Sequence, residues 1–531
     1  MPPGCLAFIL HAHLPFVRHP EHGEFIEEEW LFEAITETYL PLLDVLNGLA
    51  DGGAKFRIAM SVTPTLGHML RDELLLSRYD RHLDRLIALA ENEVRRTDPG
   101  AHAQHREMQS AARFYLLRLL RVREWWALRW KRDIVSAFRA LQDRGHLEII
   151  ACAATHGYLP LMLRPESVRA QIEIGIEAHR AMFGCEPRGI WLPECAWRPG
   201  VDRILAEAGI RWCVLDSHGI MLGVPRPRRA IFAPVFTPAG VAAFGRESES
   251  ARQVWSAAEG YPGDPWYRDF FRDAGWDMPE AEFRKFFPDG PRRFTGLKMH
   301  RVTGSDPKQS YDRKMAMGSV RTHARHFLDA RIRQLRKVRP LIPVPPVLVT
   351  PFDAELFGHW WFEGPEWLAA VLGAAARAPA DIRLVTPSEY LDANDTHQVV
   401  EPAVSSWGDG GFHAVWLDPS NAWIYPELHA AEEKMVFSAR HFSHGAGADE
   451  LQERCLRQMA RELLLAQSSD WAFLIRTGTA GEYPARRERD HLGRFATLHA
   501  QLHADRIETA HLESCEECDN IFPRLDWRIY A

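Results

Sequence analysis

Short apolar runs rich in strand-forming residues recur along the chain, and long helix-like stretches separate them. Seven such runs precede residue 396, at Cys5–Leu10, Phe56–Val62, Leu147–Ala153, Arg188–Leu192, Ile210–Leu215, Val347–Val349 and Arg383–Val385. Their apolar residues are continuous rather than alternating, which is typical of parallel strands that are buried on both faces. Seven strands spread over about 395 residues favour an α/β fold, a distorted (β/α)7 barrel with helical insertions, over an open doubly wound sheet.

The intervals between the strands predict the domain organisation. Residues 70–141 are charged with a helical pattern, and residues 244–339 are rich in Trp, Pro, Gly and Asp. After about Pro402 a loop rich in Gly and Trp leads into amphipathic helical patterns. We therefore predict a barrel domain over residues 1–395 with insertions at about 70–141 and 244–339, followed by an all-helical domain over residues 396–531.

Charge and hydropathy exclude several classes of function. The 64 basic and 71 acidic residues give a net charge of −7 without the basic stripe that nucleic-acid binding requires. His11 interrupts the N-terminal apolar run, which lacks the basic start of a signal peptide, and no apolar run reaches the roughly 18 to 20 residues of a membrane span. Eight scattered cysteines, mostly in apolar stretches, are typical of reduced thiols. We expect a cytoplasmic monomer without nucleic-acid or membrane partners.

Polar residues follow five of the predicted strands. Active sites of (β/α) barrels lie at the carboxyl ends of the strands, where these residues meet. They are His11 and His13, His156, Glu194, Asp216 and His218, and Asp353, Glu355 and His359.

Glu194 and Asp353 are the most informative of these residues. Each follows a strand that breaks at a proline, and each is surrounded by Trp and Phe. Burial disfavours the charged form of a carboxyl group, and that cost is tolerated mainly where chemistry needs a tuned acid or nucleophile. Two such carboxyl groups among aromatic stacking surfaces suggest glycoside chemistry.

The segments that carry these residues resemble, in order, the motifs of glycoside hydrolase family 57, most closely those of its α-1,4-glucan branching enzymes. The barrel motifs are residues 11–16, 145–150, 191–194 and 350–361. Further similar segments are residues 252–255, 261–266, 405–411, 415–417 and 469–471. The resemblance therefore extends over nearly the whole chain.

The resemblance implies a retaining mechanism on α-glucans such as amylose, amylopectin and glycogen. Glu194 matches the family nucleophile and Asp353 its general acid/base, so their carboxyl groups are expected about 5 to 5.5 Å apart. The glycosyl-enzyme then passes to a glucan 6-hydroxyl, which forms a branch, or to water, which completes hydrolysis.

The resemblance also implies a set of substrate-binding residues and no cofactor or metal. His11, His13 and His156 match residues near the donor sugar. Trp407 and Trp416 resemble aromatic residues of the acceptor groove, and Trp266 or Trp276 resembles another from the inserted region. Asp470 matches a residue that reaches the site from the helical domain, which is therefore expected to contribute to the active-site groove.

One departure from the family pattern leaves a second activity open. Branching members carry a mobile loop after the strand that ends near Asp216, with a tyrosine that keeps water from the glycosyl-enzyme. The stretch from Ser217 to Gly245 contains no tyrosine, and its candidate replacements are Phe232 or an arginine. An α-amylase-like hydrolase or a 4-α-glucanotransferase is therefore the alternative to a branching enzyme.

Two other classes are disfavoured. His11 and His13 together with Asp216 or His218 have the ligand types of a zinc site, and Cys515 and Cys518 form a lone CxxC pair. The two carboxyl groups already supply a metal-free mechanism, and the CxxC pair lacks the second pair of a zinc site. A glucan-binding protein without catalysis has little use for both Glu194 and Asp353.

Overall fold

A computed structural model describes residues 3–98, 108–395, 397–443 and 447–531. The strands of this described part form a single sheet. They are β1 (Cys5–Ala12), β2 (Ile58–Val62), β3 (Leu147–Cys152), β4 (Gly189–Trp191), β5 (Trp212–Leu215), β6 (Val235–Phe236), β7 (Ala242–Gly245), β8 (Val347–Asp353) and β9 (Arg383–Leu384).

Seven of the strands are parallel and form a closed ring in the order β7-β5-β4-β3-β2-β1-β8. The ring closes between β7 and β8, where Arg246 bridges Val349 and the amide of Glu247 donates to the carbonyl of Val349 at 2.8 Å. The short strand β6 pairs antiparallel with β7, outside the ring. The predicted α/β class and distorted (β/α)7 barrel are therefore confirmed.

The identity of one barrel strand differs from the prediction. The predicted strand at Arg383–Val385 is the extra strand β9, which within the described part of the chain pairs with Cys5 and Leu6 of β1 and lies off the main strand order. The seventh barrel strand is instead β7, which ends where the predicted insertion at 244–339 begins. Its Ala-Ala-Phe-Gly sequence contains no β-branched residue, so its strand propensity is low and its pairing with β5 determines its conformation.

The alternation of side chains along β1 prepares the active end of the barrel. Cys5, Ala7 and Ile9 belong to the core inside the barrel, whereas the intervening residues pack against the surrounding helices. His11 is the next residue in the inward-facing series, so the period of two places it at the carboxyl end of the barrel interior. Trp191 and Trp212 fill the interior below it.

Helices surround the ring and fill its insertions. Those up to residue 395 are α1 (Glu29–Ala34), α2 (Leu40–Asp51), α3 (Pro64–Met69), α4 (Glu73–Arg96), α5 (Gln109–Glu124), α6 (Ile134–Asp143), α7 (Pro165–Phe183), α8 (Val201–Glu207), α9 (Ser217–Met221), α10 (Ser248–Trp255), α11 (Ala274–Asp277), α12 (Glu280–Phe283), α13 (Arg313–Val338), α14 (Gly364–Arg377) and α15 (Pro387–Ala393). A π-helical turn over Ile35–Tyr39 joins α1 to α2, and such turns are frequent at functional sites.

A helical region follows the barrel and packs against its carboxyl end. Its helices are α16 (Ile424–Ser443), α17 (Glu450–Ala466), α18 (Ser469–Thr477), α19 (Tyr483–His503) and α20 (Thr509–Cys518). The amide of Ser469 donates to the carbonyl of His156 at 3.0 Å, so α18 begins directly over the loop that follows β3.

The predicted domain limits stay predictions, and the boundary residue 396 lies outside the described residues. Among the helices of the described part, none combines the length and the apolar character needed to cross a membrane.

Candidate active site

The carboxyl ends of the barrel strands form a ring of functional side chains. Between Glu194 after β4 and Asp353 at the end of β8, this ring runs in two directions. We call the direction through β5 and β7, with Asp216 and Arg246, the arginine arc. We call the direction through β3, β2 and β1, with His156, His11 and His13, the histidine arc. Both arcs follow from the strand order and the closure between β7 and β8.

Glu194 lies in a tight left-handed turn. Its φ is 61° and that of Cys195 is 48°, a region that non-glycine residues rarely adopt. Strain of this kind persists where the surroundings hold it, and it clusters at functional sites. The Glu194 carbonyl accepts a hydrogen bond from the amide of Trp407 at 3.0 Å, which ties the turn to the loop that precedes α16.

Two side chains donate to the Glu194 carboxylate. Trp407 Nε1 lies 2.7 Å from Oε2, and the Ser469 hydroxyl lies 2.9 Å from Oε1. Burial raises the pKa of Glu194 and the Asp470 charge adds to this rise, whereas the two donors lower the pKa again. The donors thus favour the ionised form that a nucleophile needs.

The pKa of Asp353 is raised as well, but its surroundings differ from those of Glu194. Burial raises its pKa well above the usual range, and the carboxylates of Glu355 and Glu194 raise it further. The charge of Arg246 lowers this pKa only in part. These surroundings favour the protonated form of Asp353, and two carboxyl groups whose environments differ in this way suit a nucleophile and a general acid.

His11 and His156 are neutral members of the histidine arc. His11 stacks on Trp191 with 4.4 Å between ring centroids and hydrogen-bonds with the Ser61 hydroxyl at 2.6 Å. Its Nε2 lies 3.0 Å from Nε2 of His156, whose Nδ1 lies 2.8 Å from the Ser469 hydroxyl. Burial lowers the pKa of both imidazoles, and the neighbouring His13 lowers it further.

His13 and Asp470 form an ion pair at the entrance to the same arc. His13 Nε2 donates to Asp470 Oδ2 at 2.9 Å, and its Nδ1 lies 3.1 Å from the Thr63 hydroxyl. Burial alone would lower the pKa of His13, but the Asp470 carboxylate together with the charges of Glu355 and Glu194 outweighs burial, and the net pKa is raised. The same pairing holds the pKa of Asp470 below its usual range, although burial acts to raise it.

Two residues that contribute to the site, Ser469 and Tyr39, were not among the predicted ones, and Glu355 was predicted only as a polar residue at a strand end. Ser469 bridges Glu194 and His156, and its position beside the predicted Asp470 was the available signal. Glu355, with a pKa raised by burial to about 7, accepts hydrogen bonds from the Tyr39 hydroxyl at 2.5 Å and the His13 amide at 3.1 Å. Tyr39 reaches it from the π-helical turn, which no sequence pattern indicated.

The structure brings most of the predicted site residues to this ring. They are Glu194, Asp353, His11, His13, His156, Trp407 and Asp470. Trp416 lies one layer behind, 1% exposed and stacked on Tyr158 at 4.4 Å. Trp266 and Trp276 lie at the surface of the inserted region, 36% and 51% exposed, where Trp266 packs under Arg301.

The predicted alternative metal set does not assemble. Asp216 and His218 hydrogen-bond with each other at 3.0 Å on the arginine arc, across the ring from His11 and His13. Ligand atoms of His13, His156 and Asp470 do lie within 4.8 Å of one another. Their nitrogen and oxygen atoms already have protein partners, so the network is satisfied by hydrogen bonds alone.

Phe232 does not replace the missing loop tyrosine. Its carbonyl accepts from the amide of Val347 at 2.9 Å. Val347 is the first residue of β8 and Asp353 the last, and the rise of about 3.3 Å per residue separates them by about 20 Å. Phe232 thus lies near the opposite end of the barrel. The aromatic ring that packs on His218 is that of Phe412, with 5.8 Å between ring centroids.

Comparisons with known proteins agree with this geometry. The sequence profile of glycosyl hydrolase family 57 matches residues 7–276, and the profile named 1,4-alpha-glucan branching enzyme, C-terminal, matches residues 427–530. The 1,4-alpha-glucan branching enzyme of Thermococcus kodakarensis is 36% identical over 98% of this chain and 77% of its own length.

Two solved structures cover almost the whole chain. The structure of alpha-amylase AmyC from Thermotoga maritima has a TM-score of 0.91 and 42% identity, with 99% of each chain covered. That of a branching enzyme from Pyrococcus horikoshii has a TM-score of 0.88 and 36% identity, and covers 99% of this chain and 97% of its own. By sequence profile, full-length similarity and fold, the chain belongs to glycoside hydrolase family 57.

Proposed function

We propose that this protein is a retaining 1,4-α-glucan branching enzyme, which cleaves α-1,4 links and forms α-1,6 branches through a covalent glycosyl-enzyme. The observation that carries the proposal is the hydrogen bond from the Ser469 hydroxyl of the helical region to the Glu194 carboxylate of the barrel. This region matches the C-terminal profile of branching enzymes, and full-length relatives bear that name.

The geometry supports a double displacement. The ionised Glu194 carboxylate attacks the anomeric carbon while protonated Asp353 gives its proton to the leaving glycosidic oxygen. The resulting Asp353 carboxylate then takes the proton of a glucan 6-hydroxyl, whose oxygen attacks the same carbon and releases Glu194. The imidazoles of the histidine arc are placed to hydrogen-bond the hydroxyl groups of the donor sugar.

Hydrolysis of α-1,4 links, with or without 4-α-glucan transfer, is the second candidate. Ser217–Gly245 contains no tyrosine, and Phe232 lies near the far end of β8. In addition, the Thermotoga maritima relative with 42% identity is titled an alpha-amylase. If nothing else shields the glycosyl-enzyme, water competes with the sugar acceptor.

Proton NMR of amylose incubated with the pure enzyme separates these candidates when reducing ends are assayed in parallel. We expect the α-1,6 anomeric signal to grow with few new reducing ends. New reducing ends without that signal would instead identify a hydrolase, and altered chain lengths with neither would identify a 4-α-glucanotransferase. A Glu194→Gln preparation, purified identically, controls for activity from the expression host.

We also propose that the enzyme works in the cytoplasm as a monomer. Its eight cysteines are all free thiols and six of them are buried, which is typical of a reducing compartment. Gel filtration with light scattering tests the monomer, and a mass near 120 kDa, twice the 60.7 kDa of the chain, would contradict it.

A further inference from the structure

An open cavity of about 350 Å³ adjoins the arginine arc. Its walls include Asp216, Arg246, Ser248, Arg252, Trp255 and Ser256. Ligand pockets for small molecules have volumes of about 300 to 1,000 Å³, so the cavity is large enough for a ligand. It carries an aromatic ring, hydroxyl groups and charges of both signs, which are the groups that contact the faces and hydroxyls of sugars.

The inner wall of the cavity is shared with the catalytic centre. The ring of Trp255 meets that of Trp407 edge to face, with 6.3 Å between centroids and an angle of 84°. Trp407 in turn donates to Glu194 at 2.7 Å, and the guanidinium of Arg246 lies 5.2 Å from its ring. A group bound against Trp255 therefore lies two aromatic rings from the nucleophile.

Arg246 is loosely bound, whereas Asp216 Oδ1 already contacts the Ser217 hydroxyl at 3.1 Å and His218 Nδ1 at 3.0 Å. Among the described residues, the hydrogen bond of the Arg246 side chain is to Asp216 at 3.4 Å, and its Nε has no partner. Both side chains are still partly exposed, at 15% and 18%. The terminal nitrogens of Arg246 therefore retain hydrogen-bonding capacity for a ligand hydroxyl, in contrast with the imidazoles of the histidine arc.

The position of Asp353 indicates whether this cavity binds the donor sugar or the acceptor sugar. The acid/base must reach the oxygen that leaves and later the oxygen that attacks, so the acceptor lies on the side of Asp353 away from the donor sugar. The histidine arc, covered by Ser469 and Asp470, matches the donor side. Arg246 follows β7, the neighbour of β8. It forms a parallel β-bridge with Val349, which lies in β8, the strand that ends at Asp353.

We infer that this cavity is an acceptor subsite that binds one glucose unit of the accepting glucan. Trp255 stacks on the sugar ring, and Asp216, Arg246 and Arg252 hydrogen-bond its hydroxyls. The subsite favours a sugar acceptor over water by holding it beside Asp353, a role that a loop tyrosine does not supply here. This inference rests on the proposed transferase function.

The test compares Trp255→Ala with Trp130→Ala, a partly buried tryptophan that packs on Trp125 far from the ring. An α-maltotriosyl fluoride donor is used with and without maltopentaose as acceptor. We expect Trp255→Ala to raise the acceptor concentration for half-maximal transfer at least tenfold. Fluoride release without acceptor is expected to fall by a smaller factor than transfer does, and Trp130→Ala changes neither value.

Two outcomes would overturn the subsite while leaving the transferase function intact. One is unchanged acceptor dependence in Trp255→Ala. The other is a loss of fluoride release equal to the loss of transfer, which would show that Trp255 only supports Trp407 and Glu194. A wild type that transfers to no sugar would contradict the proposed function itself.

Two further variants sharpen the test. Arg252→Ala changes an exposed side chain and therefore tests the subsite even if Trp255→Ala does not fold. It is expected to raise the half-maximal acceptor concentration about threefold, whereas an unchanged value would count against the subsite. Trp255→Phe keeps a stacking face and is expected to recover most of the acceptor affinity.

Discussion

The histidine arc and the arginine arc begin and end at the same two carboxyl groups, yet they are built in opposite ways. In the histidine arc, His11, His13 and His156 hydrogen-bond to one another or to neighbouring protein groups and lie under the start of α18. In the arginine arc, Arg246 and Asp216 are joined by one long contact beside an open cavity. One side of the ring is preorganised, and the other retains room and free hydrogen-bonding capacity.

This difference matches the two demands of transglycosylation. The donor sugar must be held in one position while its bond is broken, and preorganised groups do this without reorganisation during the reaction. The acceptor is a chain that enters after the first product leaves, so its side of the ring must open and fill repeatedly. Removal of a group from the closed network also leaves a buried partner unpaired, at a cost of about 1 to 3 kcal/mol.

The largest effect is expected at Glu194, where the two arcs meet. Glu194→Gln keeps the shape but removes the nucleophile, so transfer and hydrolysis both fall by at least about 10⁴-fold. The α-1,6 signal and the reducing ends measure the two activities. Glu433→Gln, with a 53% exposed side chain, is the matched control and is expected to behave as the wild type. A variant that retained either activity would show that the arcs do not share one nucleophile.

Asp353→Asn tests the carboxyl group at the other end of both arcs. Loss of a general acid is expected to slow cleavage of α-1,4 links by about 10²- to 10⁴-fold. An α-maltotriosyl fluoride donor needs no proton for its leaving group, so the variant still forms the glycosyl-enzyme, and mass spectrometry of the intact protein detects it. Failure to accumulate this adduct would count against the acid/base role.

Ser469→Ala removes the hydroxyl that connects His156 of the histidine arc to Glu194. A hydrogen bond to a charged group contributes about 1.5 to 3 kcal/mol, so kcat/KM at neutral pH is expected to fall roughly tenfold or more. The hydroxyl lowers the pKa of Glu194, whereas the Asp470 charge raises it and His13 lowers it. Without the hydroxyl the pKa rises, and a smaller fraction of Glu194 is ionised at each acidic pH.

The acid limb of the kcat/KM profile of Ser469→Ala therefore moves to higher pH, and a pH series with a fluoride donor measures the shift. Ser443→Ala, at the exposed end of α16, is the control without an expected shift. An acid limb at the wild-type position would show that Ser469 acts only through packing.

The smallest of these effects is expected at Arg246, in the arginine arc. Its charge lowers the pKa of Asp353, so Arg246→Gln raises that pKa and keeps the general acid protonated to higher pH. The basic limb of the kcat/KM profile accordingly moves to higher pH, while the maximal kcat/KM stays within about tenfold of the wild type. A pH series with an α-1,4-linked glucan, whose cleavage needs the general acid, measures this shift. A basic limb at lower pH would reverse the assigned sign.

How much the sequence predicted depended on how locally each feature is encoded. Glu194 and Asp353 each follow a strand and a proline within a few residues, so a short segment is enough to predict their position at the carboxyl ends of the strands. Strand β7 was missed because Ala-Ala-Phe-Gly has little intrinsic strand propensity and pairs only because β5 lies beside it.

Contacts between distant segments were the other gap. The burial of Trp416 behind Tyr158 depends on packing between residues 258 positions apart, which the local sequence around Trp416 does not encode. The loop after Ser217 could be recognised as lacking tyrosine, but only the fold shows that Phe232 lies near the other end of β8.

The hydrogen bond between Ser469 and Glu194 also affects when the active site forms during synthesis of the protein. The two residues are 275 positions apart, so the ribosome completes the barrel strands and the nucleophile well before α18 emerges. A growing chain with a folded barrel still lacks Ser469 and Asp470, which hold Glu194, His156 and His13 in place. A glucan therefore first meets a competent active site only after α18 has emerged and packed on the barrel.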